Sequence, residues 1–206
     1  MEVVVSTKNK DKFREISAIL KHSGIKTLRL ESFEGIPEVV EDGSTFKDNA
    51  CKKALTIARI TNRLTVADDS GLEVAALNGA PGVYSARFSG KGATYQSNND
   101  KLLKMLKDVP KKQRKAKFIC CVAVADAHGI VDVVFGQCRG IISDSAKGRN
   151  GFGYDPVFIY PKLNKTFAQI SSSLKNSISH RSQAFNRAKK VVLRYLKSEN
   201  KRRAAK

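Results

Sequence analysis

The 206 residues are 41% hydrophobic and 28% charged, enough apolar sequence for one domain or for two small lobes around one core, and too periodic for intrinsic disorder. Apolar runs of strand length, far short of the ~20 residues of a membrane span, and an opening Met1-Glu2-Val3-Val4-Val5 unlike a signal peptide predict a cytoplasmic protein with no membrane partner. The 38 basic residues against 19 acidic ones leave a net charge of +19, which suggests an anionic partner unless it is plain lysine bias.

Glu2–Ser6 is a β-branched run and reads as a strand. From Asp11 to His22, Phe13, Ile16, Ile19 and Leu20 recur at helical spacing, and Gly24 ends that helix. Ile25–Leu30 alternates as a second strand. Residues 31–44 are rich in acid, glycine and proline, which predicts a loop. Thr45 with Asp48 resembles a capping box and predicts a helix to about Thr61. Leu64–Ala67 reads as a strand that Asp68-Asp69-Ser70-Gly71 ends abruptly. Asn78–Thr94 is glycine-rich and reads as a long loop. A helix follows from about Asn98 to Lys107, with Leu102, Leu103, Met105 and Leu106 on one side. Lys115–Ala125 and Ile130–Ser143 read as strands of a hairpin, and Cys120 and Cys121 as reduced core residues on opposite faces of the first. After a glycine-rich loop at 148–156, a last helix from about Ser179 to Leu196 turns Phe185, Ala188, Val192 and Tyr195 inward. Alternating strands and helices followed by a hairpin predict an α/β fold with a mixed sheet flanked by helices. Residues 1–197 read as a single domain, and 198–206 as a basic, disordered tail.

Four clusters carry candidate chemistry at strand ends and in loops. Thr7-Lys8-Asn9-Lys10-Asp11-Lys12 leaves a strand and opens a helix, where N–H groups and the helix dipole attract phosphate, though a helix cap alone also explains it. Glu41-Asp42 and Asp68-Asp69 gather carboxylates that a cation would reconcile; hard oxygens suit Mg²⁺, and solvated acids are the alternative. In Gly151-Phe152-Gly153-Tyr154-Asp155-Pro156 the glycines admit a flat ligand, Phe152 can stack on a base and Asp155 can accept from a base edge, unless the loop is a tight turn with Phe152 in the core. Lys175 and Ser179-His180-Arg181 place donors at the start of the last helix, with a plain helix cap as the alternative, and Lys53 on the second helix is a candidate phosphate contact unless it is a solvated helix lysine. There is no Walker A pattern. The combination describes a nucleoside triphosphate site.

These segments resemble the inosine triphosphate pyrophosphatases, the Ham1-like proteins. The resemblance rests on the TxNxxK pattern at Thr7, Asn9 and Lys12; on Glu41-Asp42-Gly43-Ser44-Thr45-Phe46-Lys47-Asp48-Asn49-Ala50 with Lys53; on Ala67-Asp68-Asp69-Ser70-Gly71-Leu72; on Gly79-Ala80-Pro81-Gly82-Val83-Tyr84-Ser85-Ala86-Arg87-Phe88; and on GFGYDP (151–156) and Ser179-His180-Arg181. Asn150 stands where many members have glycine. The resemblance implies an elongated fold of two lobes with a cleft, and a homodimer. It implies Mg²⁺-dependent hydrolysis, with Mn²⁺ as a substitute, of the α–β phosphoanhydride of ITP, dITP or XTP, which cleanses the nucleotide pool.

The implied roles are residue by residue. Thr7, Lys8, Asn9, Lys10, Asp11, Lys12 and Lys53 bind the triphosphate; Glu41 and Asp69 hold the metal; Asp69 also takes a proton from water; Ser70 touches the substrate beside them. Phe152 stacks on the purine, Gly153, Tyr154 and Asp155 line its pocket, and Lys175, His180 and Arg181 meet the base. The competing readings are a basic RNA- or DNA-binding module, against which no nucleic-acid-binding motif stands, so no specific nucleic-acid partner is expected, and a Maf-like pyrophosphatase of other base preference.

Overall fold

The structure is a computed structural model and describes residues 2–204. β1 (Glu2–Val5) leads into α1 (Lys10–Leu20), which Asn9 caps, and β2 (Lys26–Leu28) follows. α2 (Phe46–Thr61) begins where the Thr45 hydroxyl accepts from the Asp48 N–H, as the capping pattern predicts. β3 (Thr65–Val74) precedes α3 (Tyr95–Met105), whose start is fixed by a reciprocal Thr94–Ser97 box, earlier than apolar spacing indicates. Then come β4 (Lys115–Ala125), β5 (Ile130–Ile142), β6 (Phe158–Tyr160), β7 (Lys165–Thr166), α4 (Ser172–Ile178) and α5 (His180–Ala204). The strands form one seven-stranded sheet in the order β2-β1-β3-β4-β5-β6-β7. β1 runs parallel to β2 and β3, with Val4 opposite Leu28 and Thr65, whereas β6 runs antiparallel to β5 and β7, so the sheet is mixed as expected.

The chain divides into two compact units, Met1–Asp69 with Cys120–Gly136 and Arg181–Lys206, and Ser70–Ile119 with Gln137–His180. In the first, alternation along β1 sends Val3 and Val5 to a core shared with Ile16 of α1 and Phe185 and Val192 of α5, and Val4 to a second core with Ile57 of α2. Helices therefore cover both faces of this part of the sheet. The second unit packs Leu72, Leu102, Leu106, Phe118, Phe158 and Phe167, with the Phe118 and Phe158 rings 4.5 Å apart. Each such side chain contributes about 1.5–3 kcal/mol on burial.

Three expectations change, and three short elements go unpredicted. β3 does not stop at Ala67; it runs straight through Asp68-Asp69-Ser70-Gly71, because both carboxylates find partners inside the first unit. Met105 is 47% exposed; it is the last residue of α3, and Leu106 just beyond it takes the buried place. The short β6, β7 and α4 carry too few residues for a period to show. α5 continues past Leu196 through residues expected to form the tail, since 197–204 contain no glycine or proline to stop a helix; residues 205 and 206 of that tail lie outside the described residues. No described helix is long and apolar enough to cross a membrane.

Candidate active site

Period-two alternation along β3 separates the adjacent aspartates. Asp69 follows Thr65 and Ala67 toward α2, and Asp68 follows Val66 toward α1 and α5. On the α2 side, Asn49 and Lys53 stand one turn apart and both reach down to the strand. Asn49, only 1% exposed, donates through Nδ2 to Asp69 Oδ2 at 3.0 Å and accepts the Gly43 N–H through Oδ1 at 2.8 Å. It thereby ties the 41–44 loop to the catalytic candidate. A Cβ at Gly43 would lie 2.7 Å from that same Oδ1, so this position requires glycine. The Lys53 ammonium donates to Glu41 Oε1 at 2.5 Å and to the Asp68 carbonyl at 2.8 Å, and lies 3.9 Å from Asp69 Oδ1. Burial pushes the Asp69 carboxyl above its ordinary value against the pull of Lys53 and Lys12.

On the other face, Asp68 Oδ2 is 3.1 Å from Lys12 Nζ and 3.4 Å from Arg181 Nη2, while Arg181 Nη1 is 2.6 Å from Glu15 Oε2. Burial would raise the Asp68 carboxyl, but Lys12, Arg181 and Lys53 outweigh it and hold it well below the usual carboxylate range. Burial would likewise lower Lys12, yet Asp68 raises it on balance. Two cations thus face two carboxylates, which is what lets four ionised side chains stay in an interior. Cys120, on the same face of β4, places Sγ 3.9 Å from Asp68 Oδ2, and burial pushes its thiol well up.

At the start of α1, Asn9 Oδ1 accepts the N–H groups of Asp11 at 2.9 Å and Lys12 at 3.0 Å, and the Thr7 hydroxyl accepts the Asn9 N–H at 3.2 Å. Two of the N–H groups expected to meet phosphate are therefore already engaged by the cap. Lys8 and Lys10 are exposed, and Asp11 pairs with Arg14 at 2.5 Å. Among these residues Lys12 reaches the carboxylates.

In the second unit, the GFGYDP loop is closed by its own aspartate. Asp155 accepts the Phe152 N–H at 2.9 Å and pairs with the buried Lys175 ammonium. Gly151 holds φ +73°, and a Cβ there would run into the Asp155 carboxylate. Asn99 Nδ2 donates to the Gly153 carbonyl at 2.9 Å. Above this base Phe152 is half-exposed, its ring 4.8 Å from Lys175 Nζ and 5.8 Å from the Tyr95 ring. The Tyr154 hydroxyl donates to the Ser85 carbonyl at 2.9 Å, and burial pushes its phenol up. His180 stacks on Phe118, with centroids 4.5 Å apart and planes at 10°.

The Ham1 family model matches residues 3–191. The chain belongs to the Ham1 family. The dITP/XTP pyrophosphatase of Desulforamulus reducens is 47% identical over 194 residues, spanning 94% of this chain and 96% of that protein. The Staphylococcus aureus Ham1 protein shares the fold with a TM-score of 0.82 and 38% identity, covering 97% of this chain and 100% of that one. A HAM1 protein from Coxiella burnetii gives 0.85 and 37%, covering 94% and 99%.

Against this Ham1 frame, the expected site residues fall into two sets. Lys12, Glu41, Lys53 and Asp69 belong to one unit, and Phe152, Gly153, Tyr154, Asp155, Lys175 and His180 to the other, with half-buried Ser70 directly after Asp69. Arg181, expected beside the base, pairs its guanidinium with Glu15 and Asp68. Asp155, expected to line the base pocket, holds its loop through Lys175 and the Phe152 N–H. Three residues to which the resemblance gives no role contact these side chains: Asn49 bonds Asp69, Asp68 pairs with Lys12 and Arg181, and Glu15 pairs with Arg181. Lys12 and Glu15 stand at i and i+3 on α1, a spacing visible in the sequence, but nothing there shows that Glu15 is buried.

Proposed function

We propose that this Ham1 chain hydrolyses the α–β phosphoanhydride of deaminated purine nucleoside triphosphates, dITP, XTP and ITP, to the monophosphate and pyrophosphate. The cluster of Glu41, Asn49, Lys53 and Asp69 carries this reading: two carboxylates and a lysine held together on one face of a strand. Among the described residues no group of three or more His, Cys, Asp or Glu is set to hold a metal. Glu41 and Asp69 both turn oxygens to a single cation, that of Lys53, so their donor set fits Mg²⁺, which binds hard oxygens and leaves room for water and phosphate. Mn²⁺ would substitute. When bound, the ion would polarise the phosphate and neutralise developing charge.

Asp69 takes the proton as water attacks phosphorus and the bridging oxygen leaves with pyrophosphate; its raised affinity for protons suits that role. Lys12 and Lys53 meet the charge that gathers on the leaving group, and Thr7 adds a hydroxyl donor. Ser70 contacts the substrate next to Asp69. Phe152 stacks on the purine, Tyr154 and Asp155 shape its loop, and Lys175 and His180 stand on the base side. The family reading carries a homodimer and a cytoplasmic location with it.

The test is pyrophosphate release across dITP, XTP, ITP, GTP and ATP with Mg²⁺. Release from the deaminated purines above the other two is expected, and no release from dITP or XTP refutes the proposal. Phe152→Ala should raise KM for ITP roughly 5- to 150-fold, the equivalent of ~1–3 kcal/mol of base stacking, with kcat little changed. Steady-state kinetics check this. Asn49→Ala removes the donor to Asp69 and the tie to Gly43. Loss of a hydrogen bond to a charged group, ~1.5–3 kcal/mol, predicts a kcat fall of roughly 10-fold or more with KM nearly constant. A change confined to KM would show that Asn49 does not position Asp69.

A further inference from the structure

Lys53 is 8% exposed and is reached through the buried face of α2. Its ammonium bonds Glu41 Oε1 at 2.5 Å, lies 3.9 Å from Asp69 Oδ1, and is anchored by the Asp68 carbonyl at 2.8 Å. A lysine that serves only to grip phosphate would extend toward solvent from such a helix. This one is drawn inward, onto the two carboxylates proposed above to hold the metal, and the carbonyl of the intervening strand fixes it there. An ammonium and a divalent cation compete for the same oxygens, because like charges within about 4 Å repel strongly outside bulk water.

We infer that Lys53 is a resident stand-in cation. It keeps Glu41 and Asp69 together in the nucleotide-free protein and makes that pair a weak metal site. A triphosphate offers the ammonium another anion, and Lys53 then yields the carboxylates. Metal and triphosphate binding are therefore positively coupled, and by linkage the coupling is reciprocal. The enzyme would charge its metal site when substrate arrives. This inference rests on the reading of Glu41 and Asp69 as the metal pair.

The test is Mn²⁺ binding to the nucleotide-free full chain, read from the paramagnetic resonance signal of the unbound ion. Lys53→Gln keeps a donor for the Asp68 carbonyl and removes the charge; Lys53→Met removes the charge and fills the space. Both should bind Mn²⁺ at least ten-fold more tightly than the parent, and adding Glu41→Gln should cancel the gain. Affinity unchanged or weakened by loss of the Lys53 charge, while Glu41→Gln still weakens it, overturns the stand-in role and leaves the metal pair standing. If Glu41→Gln changes Mn²⁺ binding in neither background, the metal pair itself fails. Thermal unfolding verifies that the variants are folded. Wild-type protein gives a measurement that needs no variant. Sulfate, a phosphate mimic that chelates Mn²⁺ weakly, should tighten Mn²⁺ binding relative to chloride at equal ionic strength. No tightening at sulfate concentrations that raise the unfolding temperature overturns the inference.

Discussion

Asp69→Asn should lower ITP hydrolysis by about 10²-fold or more, the scale of a lost general base, while the protein stays folded. The asparagine keeps the shape that Asn49 and Lys53 surround. It loses the negative charge that would hold a metal and the basic oxygen that would take a proton from water. The fold should tolerate the change, because burial already disfavours the charged form of Asp69. An amide at 69 even relieves that desolvation. Pyrophosphate release measured beside the unfolding temperature separates the two effects. Activity within a few-fold of the parent would remove Asp69 from catalysis. The neighbouring Asp68→Asn should behave in the opposite way: Asp68 is held charged by Lys12 and Arg181, so its replacement strips the partner of two buried cations and should lower stability first.

That contrast between adjacent aspartates marks where the sequence is legible and where it is not. Thr45 and Asp48 announce the start of α2, and two long strand-like runs joined by a tight turn at Ala127-His128-Gly129 announce β4 and β5, because caps and turns are local signals. The motif segments bring out Glu41, Lys53 and Asp69 as a set. Asp68-Asp69-Ser70-Gly71, however, has the composition of a turn, and only partners from elsewhere make it a continuous strand. Those partners are Lys12, Asn49, Lys53 and Arg181, which approach β3 from three helices. Glu15 on α1 carries no motif and no sequence reading singles it out, yet it is 9% exposed because an arginine 166 positions away comes to meet it. No local pattern encodes a contact of that range. In the other unit, Asp155 before Pro156 reads as an acceptor for a base edge. Its carboxylate also holds its own loop, which only the close approach of Gly151 and the pairing with Lys175 make visible.

Arg181→Ala is the sharpest test of what Arg181 does. The sequence groups Arg181 with His180 as a donor to the 6-keto oxygen of a deaminated purine. In the structure its guanidinium is 2% exposed and bonded to Glu15 and Asp68. Truncation takes a paired cation away from two buried carboxylates. Breaking a buried pair from one side costs about 3–5 kcal/mol, which for a chain of this size lowers the unfolding temperature by roughly 6–20 °C. Lys12 would also be drawn toward the uncompensated acids and away from a triphosphate. Every nucleoside triphosphate carries the same phosphates, so kcat/KM for ITP and ATP should fall together and their ratio should stay within about three-fold. If the guanidinium instead reads the base, ITP should lose roughly 10- to 150-fold, the worth of a charged hydrogen bond at ~1.5–3 kcal/mol, and ATP very little. Glu15→Gln distinguishes the two from the other side of the pair. Glu15 lies on α1 beside Lys12 and packs in the unit that holds Asp69, so a role in the ion cluster predicts a loss of stability with the ITP/ATP ratio again unchanged. A double-mutant cycle between Glu15 and Arg181 should then return a coupling of about 0.5–3 kcal/mol in the unfolding free energy. Zero coupling, together with a collapsed ITP/ATP ratio in Arg181→Ala, would assign the arginine to the base.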